Sequence, residues 1–197
     1  MEKQKVGVDV DEVLFPFLDE FIKHQKEIYE IDLKPEQFLT YDFHDPLGLT
    51  IDESVDRIYS FLRTLAKTEI QPLEESRSAV QKMTNKYELD IITSRHSQFE
   101  VITVDWLEEN YPSYFKDVFM IGYAPIMEKP RTKAEICLEI GAKALIDDSL
   151  PNSVDVARVG LDGVLFGSYP WNQALELPKG VTRCLNWSMV LEHFEID

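Results

Sequence analysis

Short uninterrupted apolar runs alternate along this chain with longer stretches in which apolar residues recur every three or four positions. The runs span residues 6–10, 89–93, 118–122, 144–147 and 163–166. Runs apolar on both faces predict strands buried in a parallel sheet. The periodic stretches predict helices. One covers 17–29, with Phe17, Phe21, Ile28 and either Leu18 or Ile22 on its apolar side. Another covers 52–66, capped by Asp52 and carrying Val55, Ile58, Tyr59, Leu62 and Leu65. Pro72 opens a third that runs to 86. Val101, Val104 and Leu107 share a face in 99–111, and Ile136, Leu138 and Ile140 are the apolar residues of 131–140. A closing helix over 186–194 packs Trp187, Val190 and Leu191. Strands alternating with helices predict an α/β fold with a doubly wound, mainly parallel sheet.

The first crossover breaks the rhythm. Nearly eighty residues separate Val10 from Leu89, with no strand-like run among them. Residues 37–49, rich in aromatics, Gly and Pro, read as a loop between helices. Such an insertion predicts a small helical cap over the strand ends. The expected division is a core of 1–16 and 88–197 and a cap of 17–87.

Acidic residues outnumber basic ones 36 to 20, a net charge of −16. That argues against a nucleic-acid polymer or an anionic membrane surface as partner. A small phosphorylated substrate stays open, because a bound cation inverts the local field. No apolar stretch has the length of a signal or membrane segment, so a cytoplasmic protein is expected. Monomer and homodimer are equally open. Cys137 and Cys184 lack metal-type spacing and read as buried free thiols.

The candidate chemistry lies where strands end. Asp9 and Asp11 close the first run, Thr93 and Ser94 the second, and Asp147 and Asp148 the fourth. In an open parallel sheet, ligands bind outside the carboxyl ends of the strands. Carboxylates gathered there repel one another unless a cation such as Mg²⁺, which prefers hard oxygen ligands, neutralises them. The order suits phosphoryl transfer to an aspartate: a nucleophile, a second carboxylate two residues on as acid and base, and a hydroxyl and an ammonium on the phosphate oxygens. Lys133 is the candidate ammonium, with Lys129 its rival. Each element has a plainer reading. Asp9 and Asp11 can be ordinary loop-start acids, Asp147-Asp148 or Thr93-Ser94 can cap a helix, and a helix lysine is usually solvated. Order, spacing and strand-end placement together favour the site.

These residues resemble the haloacid dehalogenase superfamily of phosphohydrolases. The resemblance rests on 8–14 (Val-Asp-Val-Asp-Glu-Val-Leu), 91–95 (Ile-Ile-Thr-Ser-Arg), Lys133 ahead of 134–141, and 145–149 (Leu-Ile-Asp-Asp-Ser). Within it the chain is similar to the 5′(3′)-deoxyribonucleotidase group and its bacterial relatives, through Phe17 and the stretch 167–172. The resemblance implies Asp9 as nucleophile and Asp11 as general acid and base. Thr93, Ser94 and Lys133 would hold the phosphoryl group. Mg²⁺ would take the Asp9 carboxylate, the Asp11 carbonyl and Asp148, with Asp147 beside it. Phe17 would stack on a nucleobase. The implied activity is Mg²⁺-dependent release of phosphate from a nucleoside monophosphate through an aspartyl-phosphate. Alternatives are a phosphatase of sugar phosphates or other small metabolites, and a catalytically silent binding protein of the same fold. A phospho-acceptor receiver domain uses similar residues, but in another order and without a large helical insert.

Glu12 stands where that family often has a small residue, and its side chain is expected to point away from the phosphate. Among other substrate candidates, Phe17 can be pocket or core, and Tyr41, Phe43 and His44 can line the pocket or pack the cap. Arg95 and His96 can touch substrate or sit in an ordinary loop, and Trp171 can be a pocket wall or a plug.

Overall fold

The structure, a computed structural model, describes residues 3–67, 69–122 and 131–196. Among the described residues six strands form one sheet: β1 (Gln4–Val8), β2 (Tyr87–Thr93), β3 (Phe115–Met120), β4 (Ala142–Asp147), β5 (Asp162–Phe166) and β6 (Val181–Cys184). Their order is β3-β2-β1-β4-β5-β6, and every pairing is parallel. The strand order reverses between β1 and β4, so their carboxyl ends flank the crevice where such sheets bind ligands. β6 is absent from the apolar runs because Val181-Thr182-Arg183-Cys184 is an edge strand, buried only at its two ends.

Side chains alternate across the sheet and build two cores. Val6, Val8, Leu89, Ile91, Ala144 and Ile146 face one side, while Ile92 and Leu145 face the other. The α-helices among the described residues are α1 (Phe17–Tyr29), α2 (His44–Leu47), α3 (Ile51–Thr64), α4 (Ser76–Lys86), α5 (Glu100–Asn110), α6 (Lys133–Ile140), α7 (Leu150–Arg158) and α8 (Trp187–His193). Residues of α4, α5 and α8 join the first core, and residues of α6 and α7 the second. The arrangement is the doubly wound α/β fold that the alternation predicts.

Several local expectations are corrected. Thr50, not Asp52, caps α3: its hydroxyl accepts from the Glu53 N–H, and the Glu53 carboxylate takes the Thr50 N–H at 2.9 Å. Helix α4 starts at Ser76 rather than at Pro72, after Glu75 in a left-handed conformation. The loop over 37–49 contains the single turn of α2. Ile28 and Val101, placed on apolar faces by periodicity, are exposed, as is Leu138 of α6. The buried face of α5 is instead Thr103, Trp106, Leu107 and Asn110. Both cysteines are free and buried, and burial pushes the thiols up, Cys137 to about 12 and Cys184 to about 11.

Helices α1 to α3 sit over the carboxyl edge and share an aromatic cluster. Phe17 packs against Phe21, Phe43 and Phe61 with ring centroids 5.3–5.9 Å apart. Phe15, in the turn after β1, touches Phe17 and Phe61 and meets Trp106 edge-on at 5.0 Å. The inserted helices and the sheet thus bury one continuous core.

Candidate active site

The site begins where β1 stops. Asp9 follows the last strand residue, and its N–H still donates to the Ile146 carbonyl of β4 at 2.9 Å. Its carboxylate therefore projects into the β1–β4 crevice, only 6 % exposed. Asp147 is the last residue of β4 and Asp148 the next. Both are buried, and one oxygen from each of Asp9, Asp147 and Asp148 lies within 4.8 Å of the others.

One ammonium answers these charges. Lys133, the first residue of α6, is buried with Nζ 2.8 Å from Asp9 Oδ2 and 2.7 Å from Asp147 Oδ2. The Thr132–Glu135 capping box starts α6 there and fixes that placement. Burial disfavours the Lys133 charge, but Asp147 and Asp9 outweigh it and hold the group above its ordinary range. Burial pushes Asp9 up to about 7 against the pull of Lys133, with Asp147 and Asp11 adding to the rise. Asp148 is pushed well above its usual range by burial and by Asp147 and Asp9. Asp147 is otherwise saturated: it accepts from the Ser149 N–H at 2.8 Å and from Asn152 Nδ2 at 3.1 Å. Among the described residues a single lysine leaves three packed carboxylates under-neutralised, and hard oxygens at this spacing suit Mg²⁺. The donor set fits the metal.

The second carboxylate is held differently. Asp11 receives the Arg95 guanidinium through Nε at 3.1 Å and Nη2 at 2.6 Å. Arg95 is buried, gives Nη1 to Thr103 Oγ1 at 3.1 Å and lies 4.8 Å over the Phe15 ring. A planar fork of this kind fixes the carboxylate in orientation as well as in place. Arg95 borders the cavity, with its donors turned to Asp11 and Thr103.

Thr93 and Ser94 part company. Thr93 is fully buried, and its hydroxyl accepts the Arg95 N–H at 3.2 Å. Ser94 is exposed and lines the cavity. The turn they form is pinned by Gly122, whose N–H donates to the Arg95 carbonyl at 3.1 Å. A Cβ on Gly122 would collide with that carbonyl and with the His96 nitrogen. Gly122→Ala is therefore expected to displace the Ser94 turn and lower kcat/KM by about 100-fold, the scale of an ångström-size misplacement. Steady-state kinetics beside a thermal melt would check it. Apolar periodicity gave Gly122 no role, because the approach of two backbones leaves no local signature.

Glu12 adopts a left-handed conformation, φ 59°. Its carboxylate turns onto the first turn of α1 and accepts the Leu18 N–H at 2.5 Å. It points at the helix start, although it also borders the cavity. Burial pushes it up to about 8 against the Leu18 bond. Tyr169 donates to the Glu12 carbonyl at 2.7 Å.

These groups floor a cavity of about 940 Å³, roofed by α3 and the segment before it. Val55, Ile58, Tyr59 and Leu62 form an apolar wall, with Asp52 and Asp56 on the same helix. Phe17 borders this space but is 8 % exposed and belongs to the aromatic cluster. Phe17→Ala is expected to cost about 3–5 kcal/mol of stability, as aromatic truncations in cores do. Denaturant melts read it directly, and a loss under 1 kcal/mol would place the ring outside the core. Phe43 packs in that cluster too, His44 lies near Asp45, and His96 sits 5.9 Å from Tyr59 at the cavity edge. Tyr41 and Trp171 both reach Asp148. Lys129 lies outside the described residues. Asn152, on Asp147, was not singled out by the sequence, although its place three residues after the α7 cap Ser149 was a signal.

Comparison with known proteins places this geometry. Residues 3–193 match the family model described as 5′ nucleotidase, deoxy (pyrimidine), cytosolic type C protein. A relative from Halalkalibacterium halodurans, provisionally named a nucleotidase, is 25 % identical over 188 residues, 95 % of this chain and 90 % of its own. Among solved structures, a haloacid dehalogenase-like hydrolase from Streptococcus pneumoniae superposes with a TM-score of 0.71 at 13 % identity, covering 98 % of both chains. A magnesium-bound hydrolase of the same superfamily from Bacillus subtilis gives 0.60 at 16 % identity over all of both chains. With the fold, the strand-end carboxylates and the family model in agreement over nearly its whole length, the chain belongs to the cytosolic type C 5′-nucleotidase family and is a phosphohydrolase of the haloacid dehalogenase fold.

Proposed function

We propose that this protein releases phosphate from nucleoside monophosphates through a covalent phosphoryl group on Asp9, with Mg²⁺ as cofactor. The observation that carries the reading is the Asp9 carboxylate itself, buried at the end of β1 between Lys133 and the Asp147-Asp148 pair on the cavity floor. An Asp9 oxygen attacks phosphorus while Asp11 gives a proton to the departing 5′ oxygen. Water then attacks the phosphoryl-aspartate, Asp11 takes its proton, and phosphate and free Asp9 result. Arg95 acts as a positioning residue for Asp11. Lys133 and Ser94 hold phosphoryl oxygens, and Thr93 braces the turn beneath Ser94. Bound to Asp9, Asp148 and the Asp11 carbonyl, Mg²⁺ would supply charge neutralisation for phosphoryl transfer.

The cap in this reading is α1 to α3. Helix α4, first assigned to it, packs on β2 and α8 and belongs with the core. The apolar wall of Val55, Ile58 and Tyr59 suits a nucleobase better than the hydroxyl-covered face of a sugar phosphate. The net charge of −16 fits a small substrate rather than a nucleic-acid polymer. No helix of the described residues is long and apolar enough to cross a membrane.

The test is phosphate release from a panel of nucleoside monophosphates and sugar phosphates, with Mg²⁺ and with chelator. Metal-dependent release fastest on nucleotides supports the reading. Faster release from sugar phosphates replaces the substrate class, and no release beside retained nucleotide binding favours a silent binding protein.

A further inference from the structure

Asp148 is gripped from two directions. Trp171 donates its indole N–H to Asp148 Oδ2 at 2.8 Å. The Tyr41 hydroxyl lies 3.0 Å from the Asp148 carbonyl oxygen and 3.4 Å from Oδ2. Asn172 Nδ2 donates to the same carbonyl at 2.9 Å. Trp171 falls on Oδ2, the single Tyr41 proton is shared between the carbonyl and Oδ2, and neither donor bonds Oδ1.

The two donors differ in origin. Trp171 belongs to the core and is clamped there. It stacks on Tyr169 at 5.0 Å with rings 3° from parallel, and Tyr169 is bonded to the Glu12 carbonyl. Arg183 of β6 braces the neighbouring Asn172 through its side-chain and main-chain oxygens. Tyr41 instead belongs to the inserted segment between α1 and α2, 107 residues from Asp148 in the chain. It leans on the Trp171 ring at 5.7 Å and is 44 % exposed. Its hydroxyl is thus a polar tie from that segment to the carboxylate edge of the sheet.

We propose that Tyr41 and Trp171 are positioning residues for Asp148, and that through Tyr41 the docking of the cap segment and the binding of a divalent cation are one linked equilibrium. The inference rests on the Mg²⁺ site assigned above. A carboxylate has one torsion that decides where each oxygen points. Donors on Oδ2 set that torsion and present Oδ1 to the cation. A cation on Oδ1 sets the same torsion and presents Oδ2 to the donors. Whatever factor Tyr41 adds to cation affinity, the cation must return to the docking of Tyr41. Partners of metal ligands that act this way typically contribute 10–100-fold in affinity. The consequence for the enzyme is order: a metal-loaded floor holds the cap segment ready for substrate, and a metal-free floor holds it less firmly.

The test needs no turnover. Mg²⁺ binding is measured by calorimetry for wild type, Tyr41→Phe and Trp171→Phe, with amide exchange of residues 38–49 followed in the presence and absence of Mg²⁺. Tyr41→Phe removes one hydroxyl from a half-exposed ring, so its metal-free melt should match wild type and separate positioning from folding. Both variants should bind Mg²⁺ about 10-fold or more weakly. Mg²⁺ should slow exchange of the segment in wild type and not in Tyr41→Phe. Undiminished affinity in Tyr41→Phe, or the same slowing in it as in wild type, overturns the linkage. Absence of Mg²⁺ binding in wild type overturns the metal site itself and the linkage with it.

Discussion

Asp9→Asn will fold as wild type does and will lose turnover by at least about 10⁴-fold, the scale seen when an enzyme's nucleophile is removed. The loss follows from chemistry alone, since an amide oxygen does not form the phosphoryl-aspartate. Folding should survive because the change removes charge where charge is in excess. Asp9 and Asp147 share Lys133 with Asp148 packed beside them, and burial already pushes Asp9 up to about 7. The Val10 N–H, 2.8 Å from Asp9 Oδ1, keeps an oxygen to bond. Circular dichroism and melting in chelator should overlay with wild type, and acid-quenched enzyme should carry no phosphoryl group. A variant that retains even one per cent of turnover would remove Asp9 as the nucleophile.

Lys133→Met should damage the metal-free fold heavily. It leaves Asp9 and Asp147 facing each other in a buried crevice with no ammonium between them. Removing one partner of a buried ion pair costs about 3–5 kcal/mol. For a chain of this size that is a fall in Tm of roughly 10 °C. The loss should depend on pH with a definite sign. Asp9 is raised in the folded state to about 7 from an unfolded value near 4, so folding takes up protons between those limits. Its ionisation therefore works against the fold as pH rises through that window, and without Lys133 the opposition grows. The gap in Tm between Lys133→Met and wild type should widen from pH 6 to pH 8 in chelator, and Mg²⁺ should recover part of it. A variant as stable as wild type at pH 8 without metal would show that the pair is not strained.

The contrast between what the chain announces and what it hides has a physical basis. Strands β1, β2 and β4 are central, so uninterrupted apolar runs mark them and their ends locate Asp9, Thr93 and Asp147-Asp148. Edge strand β6 needs no such run and gives no such mark. Helix α1 was legible to the residue because its apolar side faces an aromatic core, whereas α5 buries Thr103 and Asn110 and exposes Val101, which defeats a rule based on apolar periodicity. The start of α3 was misplaced with its signal in plain view, since Thr50 and Glu53 stand at capping-box spacing. The fork of Arg95 on Asp11 and the grip of Tyr41 and Trp171 on Asp148 join residues far apart in the chain. Pairings of that kind exist only once the sheet has brought its strand ends together.

Glu12 carries a consequence for how the protein can vary in length. The chain leaves β1, closes a turn through the bonds of Glu12 and Phe15, and enters α1 at Phe17 with the Glu12 carboxylate already on the Leu18 N–H. No residue in that passage is slack. An insertion or deletion there would uncouple the register of the first helix from the strand that bears Asp9. The segment between α1 and α3 carries the short turns at Pro35–Gln37 and α2, and none of it links a strand that bears Asp9 to a helix. Relatives that differ in the size of this insert are therefore expected to place their extra residues beyond α1, with the distance from nucleophile to first helix held constant.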